Sequence, residues 1–254
     1  MKVSIITVCL NSEDTIEQTI NSVLSQSYPH IEYIVIDGGS VDRTINIISQ
    51  YKDKTSKYIS EKDEGIYNAM NKGLALCEGD VIGFMNADDF YADRSVISEV
   101  VAFMQENDFE AIYGDLVYVD RLDEDRVVRY WRAGEYKKGA FYNNWVPPHP
   151  TFFCRRQVFE KYGYFNDKLQ IAADFELMLR FIEKHQIKVG YLPKVIVKMR
   201  TGGKANILLG IIRGNLEIIR SFRMNNLRFP PFLFVIKPIM KIAQLFRRPS
   251  DLNN

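Results

Sequence analysis

The chain has 254 residues, of which 46% are hydrophobic and 26% are charged, so it can form one large α/β domain or two small ones. Its formal net charge of +1 gives no electrostatic support to a general nucleic-acid role. Three scattered cysteines form neither a disulfide framework nor a metal-ligand pattern, which favours a reducing compartment. No run of about 18 apolar residues occurs, so no segment has the sequence of an ordinary membrane span.

The first half of the chain alternates predicted strands and helices. Residues 2–10 are apolar and a polar run follows at once, which predicts a first strand and not a signal peptide. Further strands are predicted at residues 31–36, 58–60 and 81–85, with helices at 16–24, 45–48 and 66–76 between them. Ser40 is predicted to cap the second helix. This order predicts a mostly parallel α/β sheet with helices on both faces.

The second half of the chain has less regular patterning. Residues 111–118 and 126–131 have strand-like composition, and residues 173–185 are expected to form one amphipathic helix. A helix is expected to start near Asp93. No internal repeat or low-complexity linker occurs, which favours one main domain, residues 1–203, with a C-terminal helical extension, residues 204–254.

Carboxylates follow two of the predicted strands. Asp37 ends the second strand ahead of two glycines, whereas Asn86, Asp88 and Asp89 follow the apolar run 81–85. The carboxyl ends of parallel strands are where α/β sheets bind ligands. Oxygen ligands without neighbouring His or Cys suit Mg²⁺ or Mn²⁺ rather than zinc, and such an ion would hold a diphosphate. The structural alternative is that these residues only cap the turns that follow.

Polar residues also surround the start of the third predicted helix. Asp63, Asn68, Asn71 and Lys72 lie there, and Lys72 is long enough to reach a phosphate, although a solvated helix face explains the group equally well. The segment after Asp37 is not GxGxxG, and no GxxxxGK[ST] occurs in the chain. Hydride transfer and ATP hydrolysis therefore lose their usual phosphate cradles.

A third carboxylate site is Asp174, which stands near the start of the helix 173–185 beside small residues. It is a candidate general base for a hydroxyl acceptor, with helix capping as the structural alternative. His149, held among three prolines, and Trp145 are candidate acceptor contacts or simply anchors of their loop. The turn Gly202-Gly203-Lys204 suits a lid or a phosphate contact, and an ordinary turn is the alternative.

The C-terminal segment is basic. Between Arg220 and Arg248 every charged residue is Lys or Arg, and residues 229–246 are rich in Phe, Leu, Ile and Pro. A short amphipathic helix after Pro238 would lie in an anionic membrane interface. A docking helix or a dimer contact is the alternative, and the oligomeric state stays open.

Taken together, these segments resemble glycosyltransferase family 2, whose members have the GT-A fold. The resemblance runs in order through residues 5–11, 22–28, 34–44, 61–73, 86–89, 149–150 and 173–177. Each piece is short, and the specificity comes from their order and spacing. The resemblance implies a GT-A type α/β fold and inverting transfer of a sugar from a nucleotide-sugar donor, a UDP-sugar by preference, to a hydroxyl group.

The resemblance also implies roles for individual residues. Donor contacts would be Thr7, Asn11, Asp37, Asp63, Asn71, Lys72, Asn86 and Asp88, the first four of them around the nucleoside. Asp88 and Asp89 would hold Mg²⁺ or Mn²⁺, Asp174 would be the catalytic base, and Trp145 and His149 would contact the acceptor. Two positions depart from the family pattern: Asn86 replaces the first Asp of Asp-x-Asp, and Gly38 stands where a second Asp is frequent.

Two other functions fit parts of the same pattern. A sugar nucleotidyltransferase would use a similar sheet and metal. Such an enzyme is expected to have a basic, glycine-rich first loop, whereas the first loop of this chain is acidic at Glu13 and Asp14. A non-catalytic membrane-associated protein would use the basic tail but leaves the three carboxylate sites without a shared purpose. The expected acceptor is a saccharide or lipid-linked saccharide for a cell-surface polysaccharide, and the expected location is the cytoplasm, peripheral to the inner face of the cell membrane.

Overall fold

The computed structural model describes residues 1–202 and 208–230. Gly203, Lys204 and the basic tail beyond residue 230 therefore lie outside the described residues. The strands are β1 Val3–Cys9, β2 Ile31–Asp37, β3 Lys57–Ser60, β4 Val81–Asn86, β5 Asp89–Tyr91, β6 Ala111–Val119, β7 Val127–Trp131, β8 Phe153–Arg155 and β9 Val189–Arg200. The α-helices are α1 Ile16–Leu24, α2 Thr44–Ser49, α3 Ile66–Leu76, α4 Val96–Asn107, α5 Arg156–Tyr162, α6 Ala173–Met178 and α7 Leu208–Met224.

The first four strands form a parallel unit in the order β3-β2-β1-β4. All seven residues of β1 are buried, as expected for a strand covered on both faces. Cys9 pairs with Asp37 on one side, and Val8 pairs with Asn86 on the other. The carboxyl ends of these strands therefore meet at one edge, which brings the predicted site segments together.

Helices cover both faces of this sheet, as predicted. On one face Ile6 of β1 shares a buried cluster with Met70 of α3 and Leu177 of α6. On the other face Ile5 shares a second cluster with Ile20 of α1 and Val100 of α4. The alternation of neighbouring β1 residues between the two clusters follows from the two-residue period of a strand.

The second half of the chain extends the sheet with antiparallel pairings that the sequence did not predict. Strand β8 joins β4 to β6, β7 pairs with β6, and β5 pairs with β9, while β6 and β9 are parallel. Strands β5 and β8 have only three residues each, too few for an alternation pattern. Among the described residues the strands form one nine-stranded sheet.

Helix α7 packs on the domain rather than standing apart from it. Ile218 and Phe222 are buried in the same cluster as Leu177 of α6. The boundary between residues 203 and 204 stays a prediction, but the described part of the extension shares the core of the main domain. In residues 1–202 and 208–230, no helix combines the length and the apolar composition that crossing a membrane requires.

Three local predictions are corrected by the structure. The segment 173–185 is not one α-helix, because α6 ends at Met178 and a π-helix follows at Leu179–Lys184. Ser40 does not cap α2: the N-cap residue is Arg43, and Asp42 just before it accepts a hydrogen bond from the amide of Thr44 at 3.0 Å. The fourth helix begins three residues later than expected, at Val96, because Asp93 accepts the amide of Ser95 in the preceding turn.

Candidate active site

The loop after β2 is organised by the carboxylate of Asp37. This side chain is completely buried, and it accepts hydrogen bonds from the amides of Gly39 at 3.2 Å and Ser40 at 3.1 Å. The hydroxyl group of Ser60, at the end of β3, donates a third at 2.6 Å. Asp37 therefore fixes the loop and links two strand ends.

Thr7 and Asn11 belong to the same framework. Thr7 is completely buried and accepts a hydrogen bond from the hydroxyl group of Tyr33 at 3.1 Å. Asn11 has a left-handed backbone, with φ of 50°, and its side-chain oxygen accepts the amide of Val41 at 3.0 Å. Sequence analysis predicted Thr7, Asn11 and Asp37 as donor contacts. Thr7 and Asp37 are both completely buried in this structure, and a donor contact by Thr7, Asn11 or Asp37 stays a prediction.

Asp63 has one carboxylate oxygen committed and one free. Lys72 donates to its Oδ1 and also forms an ion pair with Glu61 at 2.7 Å, and the hydrogen bond to Asp63 raises the pKa of Lys72. The Oδ2 atom is buried and has no hydrogen-bond partner among the described residues. A Cβ atom on Gly38 would approach it to 3.0 Å, so the glycine leaves room where the family often has a side chain. Buried acceptors normally find donors, which makes this oxygen the natural partner of a ligand.

Asn71 has a structural role that its position on α3 did not reveal. Its side-chain nitrogen donates to the carbonyl of Phe165 at 2.9 Å, and its oxygen accepts the Phe165 amide at 3.0 Å. This pair of bonds ties α3 to the loop before α6. Both polar atoms of the Asn71 amide make a hydrogen bond within the protein, and a donor contact by Asn71 stays a prediction.

The acidic turn after β4 carries one carboxylate that is partly exposed, Asp88, and one that is buried, Asp89. Asp88 is partly exposed, and its carbonyl accepts a hydrogen bond from Arg200 Nη1 at 2.7 Å. Asp89 is completely buried and accepts the side-chain amide of Asn86 at 2.9 Å. Burial, and then the charge of Asp88, raise the pKa of Asp89 well above its usual range. Asp89 was predicted to hold the metal together with Asp88; its side chain lies in the interior, and a metal contact by Asp89 stays a prediction.

The turn nevertheless has the chemistry of a cation site. No cluster of three or more His, Cys, Asp or Glu side chains arranged for a metal occurs in the described part of the chain. Two buried oxygens, Asn86 Oδ1 and Asp89 Oδ1, lack hydrogen-bond partners there, and the carboxylate of Asp88 lies next in sequence. Hard oxygen atoms of this kind suit Mg²⁺ or Mn²⁺, whose remaining ligands come from water and a substrate diphosphate.

Asp174 is held by two partners that come from distant parts of the chain. The hydroxyl oxygen of Tyr67, on α3, lies 3.0 Å from Asp174 Oδ1. Nδ1 of His149 lies 3.3 Å from Asp174 Oδ2, and each of these two side chains keeps about a quarter of its surface exposed. Asp174 is therefore fixed in orientation yet accessible, as a general base must be.

His149 connects the base to the acidic turn. Burial lowers its pKa, against the opposing effects of Asp174 and Asp88, so the imidazole is neutral at neutral pH. A neutral imidazole with its proton on Nδ1 can donate toward Asp174 without protonating it. His149 contacts Asp174 directly, and the charge of Asp88 also opposes the lowering of the His149 pKa, which indicates that the acidic turn lies near this pair.

Trp145 anchors its loop. The indole nitrogen donates to the carbonyl of Ala133 at 2.8 Å, and the ring packs against Tyr113, Tyr136 and Phe141. These contacts favour the anchoring alternative over a stacking platform, and an acceptor contact by Trp145 stays a prediction.

Two residues of the site escaped the sequence analysis as individuals. Tyr67 lies inside a segment that carried the family resemblance, but nothing in its spacing indicated a partner at residue 174. Arg200 ends β9, is 6% exposed, and forms an ion pair with Glu124 at 2.6 Å as well as holding Asp88. The signal available in the sequence was an arginine two residues ahead of the glycine pair that starts at Gly202.

Comparison with known proteins identifies the family. The profile of glycosyl transferase family 2 matches residues 4–163. A PGL/p-HBAD biosynthesis glycosyltransferase of Mycobacterium bovis is 27% identical over 210 residues, covering 81% of this chain and 80% of the relative. An uncharacterized glycosyltransferase of Mycobacterium tuberculosis is 33% identical over 188 residues, covering 70% of this chain and 68% of the relative.

Solved structures support the fold. S. aureus TarS 1-349 in complex with UDP-GlcNAc has a TM-score of 0.70 at 18% identity, covering 94% of this chain and 70% of that TarS fragment. The mannosyltransferase PcManGT of Pyrobaculum calidifontis, in complex with GDP-Man and Mn²⁺, has a TM-score of 0.66 at 16% identity, covering 96% and 69%. The expected GT-A type α/β fold is confirmed. With the profile covering more than half of its length, the chain belongs to glycosyl transferase family 2 and is a glycosyltransferase.

Proposed function

We propose that this protein transfers a sugar, with inversion, from a nucleotide-sugar donor to a hydroxyl group of a saccharide or lipid-linked saccharide. A UDP-sugar is the first choice of donor, and synthesis of a cell-surface polysaccharide is the expected setting. The observation that carries the proposal is the grouping of Asp174, His149 and Asp88 at the carboxyl edge of the parallel strands. An accessible carboxylate beside a turn suited to a diphosphate is what a single displacement at a sugar carbon requires.

In this mechanism Asp174 accepts the proton of the acceptor hydroxyl. The electron pair on the acceptor oxygen forms a bond to the anomeric carbon as the bond from that carbon to the diphosphate oxygen breaks. The nucleoside diphosphate leaves with the electrons of the broken bond, and attack opposite the leaving group inverts the configuration. Tyr67 and His149 orient the two carboxylate oxygens, so the base is preorganised before the acceptor arrives.

The nucleoside of the donor is proposed to lie over the loop that Asp37 organises. The unpaired Oδ2 of Asp63 supplies a buried acceptor for an N–H or O–H of the base or ribose. Gly38 keeps the approach to this oxygen open. Lys72 orients Asp63 through its ion pair, which places it behind the donor contact rather than on a phosphate.

A divalent cation is proposed at the acidic turn, with Asp88 as the protein ligand and Asn86 beside it. When bound, such an ion offsets the negative charge that develops on the leaving diphosphate. Arg200 donates a hydrogen bond to the backbone carbonyl of Asp88, which helps to hold this residue at the end of the strand.

A donor screen tests the proposal. Purified protein with Mn²⁺ or Mg²⁺ is incubated with UDP-, GDP- and dTDP-sugars, and both donor binding and the released phosphate species are measured. We expect binding of one donor and slow release of nucleoside diphosphate by hydrolysis. In a separate incubation with sugar phosphate and nucleoside triphosphate, release of pyrophosphate would instead identify a nucleotidyltransferase. Binding to no donor would favour the non-catalytic alternative.

The outer face of α7 supports a peripheral membrane location. Ile212 and Leu216 are each 52% exposed, and Arg220 and Arg223 are exposed beside them. The acidic residue of this helix, Glu217, is buried on the opposite face. Apolar residues flanked by arginines suit an anionic lipid interface, and the basic chain beyond residue 230 continues the same charge. We propose this surface as the attachment to the cytoplasmic membrane face.

Replacement of Arg220 and Arg223 together by Gln is expected to weaken binding to anionic vesicles by roughly tenfold or more, because each arginine contributes about 1 kcal/mol near such a surface. Co-sedimentation with phosphatidylserine vesicles, at two salt concentrations, measures the effect. Lys54→Gln with Arg94→Gln is the matched control, since both side chains are exposed elsewhere on the protein. Equal binding by the two double variants would argue against the assigned surface, whereas full binding by a protein truncated after residue 230 would exclude a contribution from the basic tail.

A further inference from the structure

Helix α6, which carries Asp174, begins without a cap of its own. Its N-cap residue is Ala172, whose side chain has no hydrogen-bonding atom. The amides at the start of a helix need acceptors from elsewhere when they are buried. Here a side chain of the C-terminal helix α7 accepts the amide of the N-cap Ala172 and the two amides just before it.

One carboxylate receives three consecutive backbone amides. Glu217 accepts hydrogen bonds from Gln170 at 3.0 Å, Ile171 at 2.8 Å and Ala172 at 2.9 Å. Its side chain is only 3% exposed, and the nearest cation is Arg213 Nε, 3.7 Å away. A buried carboxylate is costly unless it is hydrogen-bonded, and three charge-assisted bonds are the compensation that this site provides.

The segment that Glu217 holds is connected to the base in two ways. The chain continues from Ala172 to Asp174 within two residues. The carbonyl of Ile171 also lies 2.9 Å from the hydroxyl oxygen of Tyr67, the same atom that contacts Asp174 Oδ1. Displacement of the turn 170–172 would therefore move Asp174 and its orienting tyrosine together.

We propose that Glu217 is a positioning residue for the base, so that α7 sets the geometry of Asp174 from outside the segment matched by the family profile. This inference rests on the proposed function of Asp174. Glu217 touches neither donor nor acceptor in this role; it acts through the backbone of residues 170–172. A misplacement of about 1 Å at a reacting group costs roughly 100-fold in rate, so the expected effect is large.

Glu217→Gln is the decisive variant, because it keeps the shape and replaces one accepting oxygen by an NH₂ group that faces amide donors. We expect kcat, normalised to the fraction of protein that binds donor, to fall roughly 100-fold, with donor Kd and KM within twofold of wild type. Amide hydrogen exchange in the peptide covering residues 168–176 is expected to accelerate, while exchange in β1 and β4 stays unchanged. Glu106→Gln, the same change at an exposed position of α4, is the matched control and is expected to alter none of these values.

The readouts separate the possible failures. Unchanged exchange at residues 168–176 would show that Glu217 does not hold the turn. Faster exchange with unchanged normalised kcat would show that the turn does not position the base, and either result overturns the inference. If wild-type protein transfers no sugar, the proposed function fails on its own. Should Glu217→Gln not fold, Glu217→Asp keeps the charge but is one methylene too short to reach all three amides, and it undergoes the same measurements.

Discussion

Asp174→Asn is expected to lower kcat by between about 100-fold and 10,000-fold with little change in donor affinity, because the amide cannot accept the proton of the acceptor hydroxyl. The substitution preserves the size of the side chain, and its oxygen can still accept the hydrogen bond from Tyr67. Steady-state rates with donor and acceptor, together with donor titrations by calorimetry, measure the two quantities separately.

The control for this experiment lies seven residues earlier. Asp167 is an exposed aspartate in the loop before α6, and Asp167→Asn is expected to leave both rate and donor affinity at wild-type values. If Asp174→Asn retained full activity, Asp174 would lose the role of base. If donor affinity fell as steeply as the rate, Asp174 would belong to the donor site instead.

The neighbours of Asp174 also explain why this carboxylate is suited to the role. His149 has a pKa lowered by burial, so it stays neutral and does not form a full ion pair with Asp174 at neutral pH. Burial together with the charge of Asp174 raises the pKa of Tyr67 well above its usual range, so the tyrosine remains a donor. Both neighbours hold the carboxylate in place without transferring a proton to it, so it can accept the proton of the acceptor.

The parallel half of the fold was predictable because its signals are local. Buried strands such as β1 have continuous apolar sequences, and helix α3 was predicted with the bounds that it has in the structure, Ile66–Leu76. Polar residues at the ends of β2 and β4 indicated that these segments meet at one edge of the sheet, since neighbouring parallel strands end together.

The direction in which each polar side chain points was not predictable. Asp37, Asn71 and Asp89 stand at positions that suit ligand contacts, yet their polar atoms are directed into the protein. Their partners lie up to 94 residues away, as for Asn71 and Phe165, and no periodicity within a segment encodes such a pairing. The same reason hid Glu217, whose amide partners are 45 to 47 residues distant.

Asp88→Ala is expected to weaken donor binding in the presence of Mn²⁺ by roughly 100-fold, because loss of a direct ligand exceeds the 10- to 100-fold effect of losing an outer-shell partner. The structure favours Asp88 over Asn86 for this proposed role. Asn86, at the first position of the family's Asp-x-Asp, uses its amide to satisfy the buried carboxylate of Asp89. An aspartate there would put a second carboxylate against Asp89, whose pKa is already raised by burial and by Asp88.

Donor titrations with Mn²⁺ and with a chelator, for wild type and Asp88→Ala, measure the effect as a difference between two affinities. The wild-type protein is expected to lose donor affinity in the chelator, and the variant is expected to bind equally weakly in both conditions. Asp53→Ala, at an exposed aspartate distant from the site, is expected to behave as wild type. A variant that kept the metal-dependent difference would assign the ion to other ligands. A wild-type protein indifferent to the chelator would leave the leaving group to be stabilised by the protein's own cations and amides.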